Sequence, residues 1–201
     1  KIAELRDDVP EEVIAALADT GTREAAEALI AGYGDLASIW MRREVVRALA
    51  RCDAAPEAAE LALAKIADVA VTETAPELCL EAVDLLAASP ALGRPCLRRI
   101  VAAPAKAAVR ERAMQRHVET FAGGMDDIAW YRELFEEAPA PNRGARAAPR
   151  VRSLVRIREL ALTRIAPGLK DAELVELAGE KARSRLVPQL DGVPRIALDE
   201  L

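Results

Sequence analysis

His117 is the single histidine of the chain, so neither a two-histidine nor a cysteine-paired zinc set can be assembled around it. It falls at an apolar position of a helical pattern, which predicts a buried or half-buried structural histidine rather than a catalyst. Asp7-Asp8, Glu11-Glu12 and Glu136-Glu137 are adjacent carboxylates at helix ends or on exposed faces. They lack the opposed, separated placement that acid–base work requires. No GxxxxGK[ST] or GxGxxG stretch occurs, so nothing supports nucleotide binding. Cys52, Cys79 and Cys96 form an odd set among helix formers and read as buried free thiols in a reducing compartment. The residues therefore point away from catalysis, metals and cofactors.

Arginine is where the sequence carries a signal. In WMRREVVRALARC, Trp40 to Cys52, residues Arg43, Arg47 and Arg51 are spaced four apart, on another face from Met41, Val45 and Leu49. Such a stripe is either a solvated face that pairs with Glu44 and neighbouring acids, or a surface for an acidic partner. Arg143, Arg146, Arg150, Arg152 and Arg156 concentrate positive charge in a Pro/Gly/Ala-rich stretch and the helix start after it. An arm of this kind can lie on phosphate or on an acidic peptide. It has no interleaved aromatics, so base stacking is not suggested. Trp130, Tyr131 and Phe135 are conspicuous in a chain with 3% aromatics, and serve either as packing or as an anchor in a groove. The candidate partner-binding residues are thus Arg43, Arg47, Arg110, Trp130, Tyr131, Arg146, Arg150, Arg152 and Arg156.

The elements that must position these residues are helical. At 52% hydrophobic and 30% charged the chain is globular, and its apolar set is dominated by alanine with Leu and Val. That suits close helix–helix packing and suits strands badly. Net charge is −5, which argues against a dedicated nucleic-acid binder. The charges are unevenly spread: residues 53–84 are acid-rich, whereas 94–116 and 142–166 are rich in arginine. The molecule should be acidic at one end and basic further along, an asymmetry able to steer a partner. No apolar run reaches the roughly 20 residues of a membrane span. KIAELRDDVPEE is no signal peptide, and the closing DEL lacks the Lys of a retention signal. A cytoplasmic location follows, and the missing initiator Met points to a trimmed chain.

Helix boundaries can be placed from caps and breakers. Pro10 opens the first helix, Thr22 caps the second, and Gly32 and Gly34 stop it. Asp35 or Ser38 caps the helix of the quoted stretch. Further helices follow at about 55–70, 75–89 and 93–102. Pro104 opens PAKAAVRERAMQRHVETFA, Asp126 or Asp127 caps DDIAWYRELFEEA, and another helix spans about 151–166. Residues 138–150 are predicted to form an Arg/Pro-rich loop, and 182–201 an irregular tail that begins another unit.

Four of these helices share a frame of apolar residues four apart: Met41, Val45, Leu49; Leu78, Ala82, Leu86; Val109, Ala113, His117; and Ile157, Ala161, Ile165. Each follows another amphipathic helix, at roughly the period of helical-hairpin repeats. Met41-Arg42, Val109-Arg110 and Ile157-Arg158 match the apolar–Arg start of the second helix in HEAT repeats, whereas Leu78-Cys79 departs from it. Over most of residues 10–180 the chain resembles the HEAT-repeat (armadillo-like) family with degenerate repeats, and family Asp–Arg ladders are not evident. The resemblance implies an all-α, right-handed α-α superhelix of about four or five helix pairs, a single repeat domain over 1–201 with one curved solvated face. The function expected from it is a non-catalytic scaffold that binds an acidic protein or peptide. A second reading is phosphate-backbone binding to nucleic acid through the arginines of 94–116 and 142–158. A third follows from the DNA glycosylases that share a HEAT-like fold, with Asp126, Asp127, Trp130 and Tyr131 supplying the residue types but no family motif. It requires Trp130 and Tyr131 to be accessible.

Overall fold

The structure is a computed structural model that describes residues 11–52, 55–89, 92–121, 127, 129–131, 133–134, 156–157, 160–161 and 164. The described residues contain helices and connections and no strand. The chain divides into two compact units that meet between Thr120 and Phe121.

The first unit holds seven helices: α1 (Glu11–Thr20), α2 (Arg23–Tyr33), α3 (Ile39–Ala50), α4 (Pro56–Thr72), α5 (Pro76–Ala87), α6 (Gly93–Ala102) and α7 (Ala107–Thr120). Their ends follow from local chemistry. Thr22 Oγ1 accepts from Ala25 N–H at 3.2 Å, as its position predicts. Pro56 and Pro76 stand in the first turns of α4 and α5, where a missing N–H costs nothing. Three expectations need adjusting. Gly34 ends α2 in right-handed backbone, and the glycine with positive φ (59°) is Gly21, in the α1–α2 turn. Ser38 holds the N-cap position of α3, but its side chain makes no capping bond. Helix α7 begins at Ala107 rather than Pro104, and the Lys106 carbonyl accepts its first backbone bonds, from Val109 and Arg110.

Consecutive helices pack against each other, and so do helices two apart: α1 on α3, α3 on α5, α5 on α7, and likewise α2 on α4 and α4 on α6. The apolar frame explains this. Met41, Val45, Leu49, Leu78, Ala82, Leu86, Val109, Ala113 and His117 are all buried, as are Ile157 and Ala161 in the second unit. Ile165 lies outside the described residues. Buried alanines, among them Ala26, Ala58, Ala62 and Ala67, let neighbouring backbones approach closely where longer side chains would hold them apart. Ile14 and Ala18 of α1 are buried at the same four-residue spacing. No helix of the described residues is long and apolar enough to cross a membrane.

Candidate functional site

The arginine stripe of α3 is engaged within the protein. Arg47 donates through Nε to Glu81 of α5 at 2.6 Å and through Nη1 to Glu44 at 2.9 Å. Arg43 Nε lies 2.8 Å from the other Glu81 oxygen, off the line of a good hydrogen bond. Arg51 faces Asp19 of α1 at a loose 3.9 Å. One turn further along α5, Asp84 accepts from Arg112 Nε and Nη2 at 2.9 Å and from Arg116 Nε at 2.7 Å, both residues of α7. Burial pushes the Asp84 carboxyl up, but the hydrogen bonds from Arg112 and Arg116 overrule it and hold it below the ordinary range. Acid–arginine pairs therefore step from α1 to α3 to α5 to α7. The sequence alone does not reveal this ladder, because its hydrogen-bonded partners on different helices lie 28 to 34 residues apart with no fixed motif to join them.

The position after the first apolar residue of the frame has one job in both α5 and α7. Arg110 Nε donates to the Val101 carbonyl in the last turn of α6 at 2.7 Å. Cys79 Sγ–H reaches the Glu73 carbonyl at the end of α4, at 3.2 Å. Both satisfy carbonyls that a helix end leaves open. A thiol is a weak donor, and a second cation serves the same end: Lys106 Nζ bonds the Glu73 and Thr74 carbonyls at 2.9 and 2.8 Å. Thus α5 has Cys79 where α7 has Arg110, and Lys106 supplies the cation that α5 lacks there. In α3 the corresponding Arg42 reaches instead the Glu73 carboxylate, at 2.8 Å.

Glu73 is buried and its carboxylate is saturated. One oxygen accepts from Tyr33 Oη at 2.7 Å and from Arg42; the other accepts from Thr74 N at 2.7 Å, Thr74 Oγ1 at 3.0 Å and Ala75 N at 3.4 Å. Burial alone would raise its pKa, but the bonds from Tyr33, Thr74 and Ala75 win and hold it at about 2. Tyr33 is pushed well above the usual phenol range, by burial first and then by its bond to the carboxylate. Lys65 Nζ sits 4.8 Å from the centre of the Tyr33 ring. The residue types here (Glu, Tyr, Arg, Lys, Cys) resemble an acid–base set, but the chemistry does not fit. A carboxylate held near 2 is a poor proton acceptor at neutral pH. The Cys79 thiol is raised, mainly by burial, which opposes the thiolate. The cluster ties α2, α3, α5 and the residue just before α7 to the end of α4.

The remaining predicted residues divide by position. Arg99 of α6 pairs with Asp68 of α4 at 2.9 Å. With Asp84 bound by Arg112 and Arg116, two acids of the 53–84 stretch thus meet arginines of 94–116. His117 is fully buried and takes a 3.4 Å contact from Arg98 Nε. In the second unit, Tyr131 and Asp127 are buried, Trp130 is half-buried, and the two rings lie 5.3 Å apart at 44°. Tyr131 therefore offers no open ring, which leaves the pocket required by the glycosylase reading unsupported. Arg156 is exposed. Arg146, Arg150 and Arg152 lie outside the described residues. Among the described residues no three His, Cys, Asp or Glu side chains gather as a metal site.

Two side chains outside the predicted set stand out. Ile39 and Trp40, at the start of α3, are the exposed large hydrophobic residues of the described chain, and Trp40 is 49% exposed. The signal was present in the sequence: Trp40 precedes Met41 and so falls off the buried frame. Comparison of the chain with family models, with curated proteins and with solved structures finds no match.

Proposed function

We propose that the chain is a HEAT-like helical scaffold, in which α2/α3, α4/α5 and α6/α7 are successive helix pairs and α1 packs on α3 as α3 packs on α5. The observation that carries this reading is the contact pattern between helices two apart, with the same four-residue frame buried in α3, α5 and α7. Stacked pairs of this kind bury one continuous core and leave the outer surfaces free for partners. On this reading α1, α3, α5 and α7 form one layer, and its solvent side is the binding face. The partner is an acidic protein or peptide, held by charge complementarity, and Arg146, Arg150 and Arg152 of the arginine-rich segment are separate candidates for binding it.

Two observations favour protein over nucleic acid. Arg99, Arg112 and Arg116 are engaged with Asp68 and Asp84, so three of the seven cations of the 94–116 segment already face acids of the chain itself. The net charge of −5 adds to this. Affinity capture from lysate of the source organism, with and without nuclease, tests the reading. A parallel bait carries Arg146, Arg150 and Arg152 changed to Glu. A protein retained after nuclease and lost with the reversed bait is the expected result. Nucleic acid on the bait, with every protein lost after nuclease, would overturn it.

A further inference from the structure

We propose that the outward stripe of α3, from Ile39 and Trp40 to Arg51, is a docking site for a peptide segment that carries an apolar side chain followed by carboxylates. The proposal rests on the scaffold reading above and names the part of the surface that reads the partner. Trp40, Arg47 and Arg51 fall at i, i+7 and i+11, so they share one helix face. Trp40 at one end is half exposed, with Ile39 beside it. Toward the other end the pairs are layered rather than level. Arg47 is 49% and Arg51 55% exposed, whereas Glu44 and Glu81 beneath are only 18% and 23% exposed. At Arg47 the outermost atoms are therefore cationic, although its ion pairs are complete, whereas at Arg51 the partner Asp19 is 74% exposed and shares the surface. A guanidinium has five N–H donors. The bonds Arg47 makes to Glu81 and Glu44 use its Nε and one terminal nitrogen. Arg51 is held only loosely, 3.9 Å from an Asp19 that is itself exposed.

The spacing sets the ligand. At 1.5 Å per residue, Arg47 and Arg51 lie about 10 and 16 Å along the axis from Trp40. An apolar side chain seated on Trp40 and Ile39 would thus be followed by carboxylates at those distances. An exposed tryptophan is the kind of anchor that dominates interface energetics, and the arginines add direction and register.

The test is to pan a random peptide display library on the full chain, and then to measure the enriched peptides against Trp40→Ala and Arg51→Glu. Both residues are exposed, so circular dichroism of the variants should match the parent. The expected result is enrichment of peptides with an apolar residue and a run of Asp or Glu, bound about tenfold or more weakly by each variant. In a Trp130→Phe background Trp40 is the sole tryptophan, and its emission should shift to the blue as peptide is added. Enriched peptides that are basic, or that bind both variants unchanged, would overturn this site and leave the scaffold reading standing. Failure to enrich any peptide would overturn both.

Discussion

Replacing Glu73 by Gln should cost about 3 kcal/mol at neutral pH, and the cost should shrink in acid. The carboxyl falls from an ordinary 4.5 to about 2 in the folded chain. At 1.36 kcal/mol per pKa unit that difference amounts to about 3 kcal/mol of folding stability. The sign is that of a depressed acid: the contribution is complete above the unfolded value and is lost as pH falls through the folded one. At pH 3 it should have dropped to about 1.5 kcal/mol. Gln keeps the volume but turns one acceptor into a donor, facing either Tyr33 Oη and Arg42 or the Thr74 donors. Denaturant unfolding followed through Trp40, in a Trp130→Phe background, reads the unit that holds Glu73. Comparing parent with Glu73→Gln at both pH values cancels the other carboxylates. A cost under about 1 kcal/mol at pH 7, or the same gap at both pH values, would refute the reasoning.

The same cluster and its surroundings give further expectations. Tyr33→Phe should destabilise by about 1–2 kcal/mol in the same unfolding assay, because a buried carboxylate loses a donor. In a spectrophotometric titration the Tyr33 phenol should ionise well after a free tyrosine, or only on unfolding. Under native conditions Cys52 and Cys79, both buried, should resist a thiol-labelling reagent that consumes them in denaturant. Leu86→Ala should cost about 2–5 kcal/mol, whereas Arg99→Ala, which breaks an exposed pair with Asp68, should cost less than about 1 kcal/mol.

The core was the legible part of the sequence. The frame of Met41, Leu78 and Val109 identifies buried faces because helical periodicity is local and survives degeneration of the repeat. It also placed His117 inside, where residue type alone might have suggested chemistry. The polar network was not legible. Glu73 reads as one acid in an acid-rich run, and nothing local says that Tyr33, Arg42 and Lys106 converge on it. The partners of the arginines were not legible for the same reason: Arg43, Arg47 and Arg112 meet their acids only after the helices pack. Charge along a chain says little about charge on a surface when hydrogen-bonded partners on different helices lie 28 to 34 positions apart. Trp40 was legible but overlooked, since its exposure follows from its register beside Met41.

The most direct test of the account is amide hydrogen exchange of the full chain, alone and with the captured partner or an enriched peptide. A scaffold that binds on the layer of α1, α3, α5 and α7 should gain protection there, most strongly in α3. Protection confined to α2, α4 and α6, or none in either layer, would contradict it.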